Sequence, residues 1–557
     1  MNGSQILVEA LKKEGVKYLF GIPGGQIMHF FDALYQQKEI ELILTRHEQA
    51  AAHMADGYAR ATGKVGVCVA TSGPGATNLV TGLATAYMDS IPMVAITGQV
   101  PTHLIGNDAF QEADTTGITR PVTKNNYLVK DVRELSKIIK EAFYVATSGR
   151  PGPVLIDFPS DIQRAETEFF YPHKVELKTY RPRTEGHARQ IKKAAELILS
   201  AKRPIIYAGG GVLLSKASQE LTEFAHKTGI PVILTLMGLG SFPADDPLFS
   251  GMPGMHGPKY ANYSFLESDL VIAIGARFDD RVTGKLEAFK ANTKFIHIDI
   301  DPSSIGKIVP ADVPIVGDVK KVLNELIPLV SPVNCREWRE KIASWKTEYP
   351  LTYQKDDGKL RPQFIIEEIN RITEGKALIA TDVGQHQMWV AQFYRFNHPN
   401  SLISSGGLGT MGFGFPAAIG AKFGCPDRIV FDISGDGSFQ MNIQELTTAV
   451  INRIPIKVAI LNNCYLGMVR QWQELFYGKR YSGTHLGSCP DFARIAEAFG
   501  AKGRRVTRPE EVEPALKESL KETEVPFVMD FRIEQEENVF PMVPAGASLD
   551  EMISGLA

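Results

Sequence analysis

The chain of 557 residues is too long for one hydrophobic core, so several domains of ordinary size are expected. Its net charge of −3 at pH 7 argues against non-specific nucleic-acid binding, which depends on an excess of Lys and Arg. No apolar run is long enough to span a bilayer, and the start lacks a signal- or transit-peptide pattern. The cysteines are scattered without a CxxC pair, which indicates free thiols in a reducing compartment, so we expect the protein in the cytoplasm.

Short apolar runs alternate with helical patterns along the chain. SQILVEALKKEG near the start and DFARIAEAFGA near the end are helical patterns, and the apolar runs between them are typical of buried parallel strands. In chain order the predicted strands are VGVCVATSG, IPMVAITGQ, PVLIDFP, PIIYAGGG, PVILTLMG, DLVIAIGA, FIHIDID, ALIATDVG, RIVFDISG, KVAILNN and, after the second helix, PFVMDF. This alternation predicts the α/β class, with doubly wound parallel sheets.

Two polar, Pro-rich stretches, 169–188 and 331–362, interrupt the alternation and are interpreted as linkers. They predict three modules, at 1–170, 189–330 and 363–557. The first and third modules share a pattern of strand, Ser-Gly-x-Gly, helix, Ile-Pro and strand. The spacing from Ser to Pro is 20 residues in the first module and 21 in the third, which favours a duplicated fold used for two different tasks.

Asp436 lies between two glycines directly after the strand RIVFDISG, and Asn463 ends the next strand, 27 residues later. In a parallel sheet the two strand ends meet, so a carboxylate, an amide oxygen and a nearby main-chain carbonyl can form a site for Mg²⁺ beside a phosphate. Gly435 and Gly437 allow close approach of the backbone to that phosphate. A lone GDG is about as typical of a plain turn as of a metal site. Its combination with the 27-residue interval and the NN pair at the end of the next strand predicts a thiamine diphosphate motif.

Beyond this motif, the whole chain resembles the acetohydroxyacid synthase (acetolactate synthase) catalytic-subunit family. The resemblance extends from GIPGG to PMVPAGASLDEMI and includes RHEQAAAHMADGYARATG, SGPGATN, DAFQEAD, GMHGPKYAN, RFDDRVTGK, GTMGFGFPAAIGA and GMVRQWQELFY. It implies thiamine-diphosphate-binding folds for the first module (pyrimidine side) and the third module (diphosphate and Mg²⁺ side). It also implies an FAD-binding fold for the middle module.

The resemblance implies decarboxylation of pyruvate and condensation of the hydroxyethyl unit with a second 2-keto acid. Pyruvate gives 2-acetolactate and 2-oxobutyrate gives 2-aceto-2-hydroxybutyrate, the entry to valine, leucine and isoleucine. Two alternatives stay open: a pyruvate oxidase or another carboligase on this scaffold, and a non-catalytic flavoprotein that serves a regulatory subunit. The implied cofactors are thiamine diphosphate, Mg²⁺ and a structural FAD. The implied assembly is a homodimer or a dimer of dimers, with a possible separate regulatory small subunit and with no nucleic acid or membrane partner.

The resemblance also implies a role for individual residues on the thiamine diphosphate. Asp436, Asn463 and the main-chain carbonyl of Tyr465 hold Mg²⁺. Met411 enforces the bent cofactor conformation, although Met is more often core filler, and Gly409 offers its carbonyl to the ring amine. The other implied contacts are Gly384, Gln385, His386, Gln387, Gly435, Gly437, Ser438, Leu466, Gly467 and Met468.

For the reacting centre, the resemblance implies that Glu48 activates the cofactor through its aminopyrimidine ring. An ordinary helix-start glutamate is the alternative for Glu48, and a tight turn is the alternative for GIPGG. The other catalytic residues predicted here are Gly24, Gly25, Phe110, Gln111 and Lys124. The sequence departs from the family pattern at Gln26, Asn107 and Ser160, and Ser160, where Lys is usual, affects the expected charge of the substrate channel.

The middle module contains GGG and RFDDR, which taken alone indicate a weak phosphate loop and a solvated loop. The resemblance makes them part of an FAD site. Arg281 is expected to pair with the carboxylate of the second keto acid, and Trp472 and Met468 are expected beside that acid. The predicted FAD contacts are Arg150, Gly209, Gly210, Gly211, Thr235, Leu236, Met255, His256, Gly275, Arg277, Asp279, Asp299, Ile300, Asp318 and Val319.

Overall fold

A computed structural model describes residues 1–288, 293–355 and 357–555 of the chain. Within these ranges, three separate parallel sheets of six, five and six strands each carry helices on both faces. All eleven strands predicted from apolar runs are present, as are the two predicted helices. The α/β class and the three parallel-sheet modules are therefore confirmed.

The first sheet has the strand order β2-β1-β3-β4-β6-β5. Every residue of β3, β4 and β6 is buried, as expected for strands covered on both faces. The strands are β1 (Tyr18–Gly21), β2 (Glu41–Leu44), β3 (Gly66–Ala70), β4 (Met93–Gln99), β5 (Asn125–Leu128) and β6 (Pro153–Pro159). The helices are α1 (Gly3–Lys13), α2 (Met28–Tyr35), α3 (Glu48–Thr62), α4 (Pro74–Asn78), α5 (Val80–Asp89), α6 (Thr115–Thr119), α7 (Leu135–Thr147) and α8 (Ser160–Arg164).

The middle sheet has the order β11-β10-β9-β7-β8, so the direction of winding reverses between β7 and β9. Ligands of doubly wound sheets bind beyond the carboxyl ends of the strands at such a reversal. The strands are β7 (Pro204–Ala208), β8 (Val232–Leu234), β9 (Leu270–Ile274), β10 (Lys294–Asp299) and β11 (Val313–Val316). The helices are α9 (Ala188–Ser200), α10 (Gly210–Leu214), α11 (Ser218–Thr228), α12 (Lys259–Leu266), α13 (Asp280–Thr283), α14 (Val319–Leu326) and α15 (Arg336–Glu348).

The third sheet has the order β13-β12-β14-β15-β17-β16, which repeats the order of the first sheet strand for strand. The predicted duplication of the fold is thereby confirmed. The strands are β12 (Leu378–Thr381), β13 (Leu402–Ser404), β14 (Val430–Gly435), β15 (Lys457–Asn462), β16 (Lys502–Val506) and β17 (Phe527–Arg532). The helices are α16 (Pro362–Ile372), α17 (Gln385–Phe393), α18 (Gly414–Gly424), α19 (Asp436–Phe439), α20 (Glu445–Ile451), α21 (Gly467–Phe476), α22 (Phe492–Ala498) and α23 (Val512–Lys521).

Helix α3 of the first module packs along α18 of the third. Two glycines allow their backbones to touch: a Cβ on Gly57 would lie 2.1 Å from the carbonyl oxygen of Ala417, and one on Gly420 would lie 1.9 Å from that of Met54. Both helices contribute to one hydrophobic core that includes strands of both six-stranded sheets. The first and third modules therefore share a core within a single chain.

The stretch 331–362 holds α15, so it is not simply an extended linker. Trp338 on this helix is buried and donates its indole N–H to the carbonyl oxygen of Pro204 at 3.1 Å, which attaches α15 to the middle module. Of the described helices, none is long and apolar enough to cross a membrane.

Candidate active site

The carboxyl ends of β14 and β15 meet at one edge of the third sheet, as the sequence predicts. The strands are parallel neighbours with Gly435 opposite Leu461, so Asp436 and Asn463 leave the sheet side by side. Asn463 accepts the main-chain N–H of Tyr465 at 3.1 Å, and its side-chain amide donates to Gln385 Oε1 at 3.3 Å. Both candidate metal-ligand side chains are buried.

The Asp436 carboxylate is 1% exposed, and burial raises its pKa to about 6. Cys489 Sγ donates to its Oδ2 at 3.1 Å. Among the residues that the structure describes, no Lys or Arg forms an ion pair with it. A buried carboxylate without a positive partner is unfavourable, and an adjacent amide oxygen completes a hard oxygen donor set. The residues present therefore fit a bound divalent cation such as Mg²⁺.

Helix α17 begins directly after β12 and presents three polar side chains to the same edge. Gln385 donates to Gln471 Oε1 and to the carbonyl oxygen of Glu537, each at 2.9 Å, and Gln387 donates to Ser404 Oγ at 2.7 Å. His386 differs, since its Nε2 is buried and has no hydrogen-bond partner in the described chain. Burial lowers the pKa of His386 to about 3, so the ring is neutral.

Glycines surround this group where side chains would collide. A Cβ on Gly435 would lie 3.0 Å from the His386 ring, and one on Gly467 would lie 2.1 Å from Gln385 Oε1. The unpartnered His386 nitrogen and the glycine-lined surroundings fit a diphosphate group. The structure brings the other predicted diphosphate residues into the same neighbourhood: Gly384, Gly437, Ser438, Leu466 and Gly467.

The segment 405–413, which includes the predicted Gly409 and Met411, is held by two aspartates that sequence reasoning missed. Asp382 accepts the N–H groups of Gly412 at 2.9 Å and Gly414 at 3.1 Å, and Asp89 accepts that of Gly407 at 2.7 Å. Gly409 has φ of +72°, a conformation that favours glycine. The only signal for Asp382 in the sequence is its place directly after a predicted strand.

A cavity of about 890 Å³ lies beyond the carboxyl ends of the middle sheet. Segments that follow all five strands line it, as expected at the reversal in strand order. Its volume is in the range of small-molecule sites. Every predicted FAD contact lines this cavity: Arg150, Gly209, Gly210, Gly211, Thr235, Leu236, Met255, His256, Gly275, Arg277, Asp279, Asp299, Ile300, Asp318 and Val319.

Acidic and glycine residues shape this cavity in a way that fits a dinucleotide. Asp299 ends β10, and burial raises its pKa to about 6. Gly211 and Gly275 pack backbone to backbone, since a Cβ on Gly275 would lie 2.7 Å from Gly211 Cα. Arg150 enters from the first module and forms an ion pair with Asp301 at 3.3 Å. Acids at strand ends are typical ribose ligands, and glycine loops allow the backbone to approach a pyrophosphate.

Arg281 and Trp472 meet at this cavity although 191 residues separate them. The guanidinium carbon of Arg281 lies 5.9 Å from the centre of the Trp472 ring, in the range of a cation–π contact. The indole Nε1 of Trp472 is buried and has no partner among the described residues. Met468, Met411, Gly409, Gly384 and Gln387 also line the cavity, which therefore extends from the middle module to the edge of the third sheet.

Glu48 lies in a separate group at the carboxyl edge of the first sheet. It begins α3, and its Oε2 accepts the side-chain N–H of Asn78 at 2.9 Å. Gly24 packs against Thr71, whereas Gly25 faces open space. Gln111, with φ of +59°, places its carbonyl oxygen 2.7 Å from a Cβ built on Gly73, and Phe110 beside it is 84% exposed. None of these side chains lines the large cavity within the same chain.

Lys124 is not part of the Glu48 group. It precedes β5, at the amino end of the sheet, and its ammonium donates to the carbonyl oxygens of Val145 at 2.5 Å and Ser148 at 2.8 Å. Burial lowers its pKa to about 8. These hydrogen bonds indicate that Lys124 stabilises the fold. Its position does not support the predicted catalytic role.

Three family departures lie in the first module. Ser160 begins α8 and is buried, and the main-chain carbonyl of Gln26 accepts the side-chain N–H of Gln163 at 2.7 Å. Asn107 is exposed and donates to the carbonyl oxygen of His103 at 3.1 Å. The main-chain carbonyl of Ser160 accepts the Nε–H of Arg164 at 3.4 Å.

Comparison with known families matches the three sheets to three domains of one enzyme family. Sequence models of the thiamine pyrophosphate enzyme match residues 1–118 as the N-terminal TPP binding domain, 191–326 as the central domain and 382–531 as the C-terminal TPP binding domain. Together with the repeated strand order, these matches define the class: a thiamine pyrophosphate (thiamine diphosphate) enzyme.

Individual relatives narrow the class. The chain is 48% identical to the acetolactate synthase large subunit of Haemophilus influenzae, over 99% of this chain and 98% of the relative. It is 50% identical to a probable acetolactate synthase large subunit of Methanocaldococcus jannaschii, over 99% and 95%. It is 47% identical to the acetolactate synthase isozyme 3 large subunit of Escherichia coli, over 99% and 98%. The chain belongs to the acetolactate synthase large-subunit family.

Proposed function

We propose that this chain is the catalytic subunit of an acetolactate synthase. It decarboxylates pyruvate and joins the remaining two-carbon unit to a second 2-keto acid, which gives 2-acetolactate from pyruvate or 2-aceto-2-hydroxybutyrate from 2-oxobutyrate. The observation that carries the proposal is the identity of 47–50% to acetolactate synthase large subunits over nearly the full chain. The activity belongs to branched-chain amino-acid biosynthesis.

The edge of the third sheet would hold the diphosphate of the cofactor. Asp436, Asn463 and the carbonyl oxygen of Tyr465 would hold Mg²⁺, and the neutral His386 would direct its unpartnered nitrogen to a phosphate oxygen. Thiamine diphosphate, when bound, supplies the electron sink for the carbanion that loss of CO₂ leaves behind. By accepting the N–H groups of Gly412 and Gly414, Asp382 would keep Gly409 and Met411 in position to contact the cofactor.

Glu48 would hold a proton on the aminopyrimidine ring through its carboxylate. Asn78 donates to Oε2, so Oε1 would be the oxygen available to the ring. Glu48 lies in the first module and the Asp436 group in the third, and we infer that two chains complete each site. This supports a homodimer, or a dimer of dimers, with the cofactor between the first module of one chain and the third module of its partner.

The cavity of the middle module would hold FAD, with no net redox change in the reaction. Its volume, the acids at its strand ends and the Gly211–Gly275 contact support this assignment. Arg281 would pair with the carboxylate of the second keto acid, since a planar guanidinium presents two parallel donors. The Trp472 ring beside it would contact the alkyl end of that acid.

The remaining assignments follow the same relatives. The relatives are named large subunits, and we infer a separate small subunit that regulates this chain. The five cysteines, all within the described residues, form no disulfide, which supports a reducing compartment such as the cytoplasm. The predicted module boundaries at 1–170, 189–330 and 363–557 stay part of this proposal.

The test is an assay of the purified chain with pyruvate, in which thiamine diphosphate, Mg²⁺ and FAD are omitted in turn. We expect acetolactate only when all three are present, and 2-aceto-2-hydroxybutyrate when 2-oxobutyrate is added. The absorbance of the flavin is followed during turnover. Stoichiometric bleaching of the flavin would identify an oxidase instead, and absence of acetolactate under all conditions would favour a scaffold protein.

A further inference from the structure

Two cysteine thiols lie beside Asp436, and the proposed reaction uses neither of them. Cys464 follows Asn463 at the end of β15, and Cys489 precedes α22. Both sulfur atoms and a carboxylate oxygen of Asp436 lie within 4.8 Å of one another. Cys489 Sγ lies 3.1 Å from Asp436 Oδ2. The chain thus gathers two soft ligand atoms and one hard one at a single point.

Main-chain pairing and the side chain of Arg532 hold the segments of the two thiols together. The segment after β15 pairs with residues 484–486, where Leu486 donates its N–H to the carbonyl oxygen of Cys464 at 2.9 Å. Arg532, at the end of β17, donates to Cys464 Sγ at 3.5 Å and to the carbonyl oxygen of Pro490 at 3.3 Å. The guanidinium therefore links one thiol to the residue that follows the other.

This ligand set suits a different cation from Mg²⁺. Mg²⁺ prefers oxygen ligands in octahedral geometry, whereas thiolates select thiophilic metals such as Zn²⁺. In a tetrahedral zinc site the ligand atoms lie about 3.5–3.8 Å apart, given Zn–S and Zn–O bonds of about 2.3 and 2.0–2.2 Å. In this cluster one sulfur-to-oxygen separation is 3.1 Å and none of the three separations exceeds 4.8 Å, a spacing comparable to that of such a site.

We propose that Asp436, Cys464 and Cys489 form a site for a thiophilic divalent cation, represented by Zn²⁺, which excludes Mg²⁺ from Asp436. The metal replaces the two thiol protons, which pass to the solvent, and no electrons are transferred. A water molecule or an added anion supplies the fourth ligand. The thiol ligands are independent of the assigned activity, whereas the exclusion of Mg²⁺ rests on the proposed function of Asp436.

The first experiment measures Zn²⁺ binding to the full-length protein without thiamine diphosphate or Mg²⁺, by competition with a chromophoric chelator. We expect one tight site per chain, and an affinity at least tenfold weaker in both Cys464→Ser and Cys489→Ser. Cys425→Ser, which removes a partly buried thiol elsewhere, is the matched control and should bind as the wild type does. Equal Zn²⁺ affinity in the wild type and both site variants would overturn the proposal.

A second measurement guards against variants that merely misfold. Co²⁺ added to the wild type should produce a thiolate-to-metal charge-transfer band, which Cys425→Ser retains. A Co²⁺ complex of the wild type without sulfur ligation would overturn the proposal whatever the variants do.

The last arm separates this site from the assigned activity. Mg²⁺ with thiamine diphosphate should slow alkylation of Cys489, measured by mass spectrometry, and should weaken Zn²⁺ binding to the wild type. Tight Zn²⁺ binding that Mg²⁺ and thiamine diphosphate leave unchanged would refute the shared use of Asp436, and the metal role in the proposed function with it. Normal acetolactate formation without a tight Zn²⁺ site would refute only the zinc proposal.

Discussion

Glu48 and Asp436 are both carboxylates at the first residue of a helix, yet their surroundings differ. Asp436 is buried beside a thiol and an amide, whereas Glu48 is partly exposed and accepts a hydrogen bond from Asn78. A buried carboxylate is stabilised by a cation. A partly exposed one can exchange a proton with a ligand that covers it. The two residues are thus suited to different chemical tasks.

Replacing Glu48 with Gln should separate cofactor binding from activation. The amide keeps the size of the side chain and can still accept from Asn78, so thiamine diphosphate should bind within about twofold of wild type. It cannot hold a proton as a carboxylate does, so turnover should fall by about 10²–10⁴-fold. Steady-state assays and deuterium exchange at the cofactor C2 measure both effects, with exposed Glu41→Gln as the control. Unchanged exchange would remove Glu48 from activation.

Replacing Trp472 with Leu should change which second keto acid is used. Pyruvate and 2-oxobutyrate differ by one methylene, which a hydrophobic contact distinguishes by about 1–3 kcal/mol. In competition between the two acids, the ratio of 2-aceto-2-hydroxybutyrate to 2-acetolactate should fall by about tenfold or more. The rate with pyruvate alone should change much less. The control is Trp345→Leu in α15, which also removes a Trp but lies away from the cavity. If the product ratio of Trp472→Leu is unchanged and only its melting temperature falls, Trp472 is a packing residue.

At the scale of elements, Asp157 of β6 connects two neighbouring strands in the first sheet. It accepts Thr97 Oγ1 at 2.7 Å and Gln99 Nε2 at 3.0 Å, both from β4. Burial nonetheless raises its pKa from the ordinary 3.8 to about 7. The folded chain therefore retains this proton over a range of pH in which the unfolded chain has lost it.

This shift predicts a pH dependence of stability. The contribution of Asp157 is fully present below about pH 4 and is lost as the pH rises through about 7, by up to about 1.4 kcal/mol per pH unit. Asp157→Asn cannot ionise, so its thermal midpoint should decline less than that of the wild type between pH 5 and pH 8. Parallel midpoint curves for the two proteins would show that Asp157 titrates normally.

The contact between α3 and α18 predicts a large effect of a single methyl group. In Gly420→Ala the new Cβ would meet the carbonyl oxygen of Met54, and main chain on both sides leaves little room to adjust. We expect a loss of about 1–3 kcal/mol or more and faster hydrogen exchange in α3. Exchange limited to the third module would show that the two helices are not coupled.

The buried strands of each sheet except β1 could be predicted from sequence, and most edge strands could not. The unpredicted strands include β2, β5, β11, β13 and β16, all at sheet edges, where one side is exposed and the apolar run breaks down. Residues in recognisable motifs, such as Asp436 and Arg281, were predicted. Asp382 and Asp89 were not, since their task is to hold main-chain N–H groups that fold into place from distant segments.

At the scale of the whole molecule, the proposed site shared between two chains predicts complementation. Glu48→Ala and Asp436→Ala chains should each be inactive, since every site lacks one of the two carboxylates. In a verified mixed dimer one site regains both, so about half of the wild-type activity should return. Chains that carry both substitutions, mixed with either single variant, are the control. An inactive mixed dimer would count against a site shared between chains.

The packing of α3 against α18 also affects how the chain folds during its synthesis. Residues 50–59 of α3 are all buried, and part of their cover is a helix that begins about 350 residues later in the chain. At about 5–20 residues per second, the ribosome needs roughly 20–70 s to synthesise that interval. During this delay the first module presents an uncovered apolar helix to the cell. We therefore expect the nascent chain to bind chaperones until residues 414–424 have emerged, and to release them soon afterwards.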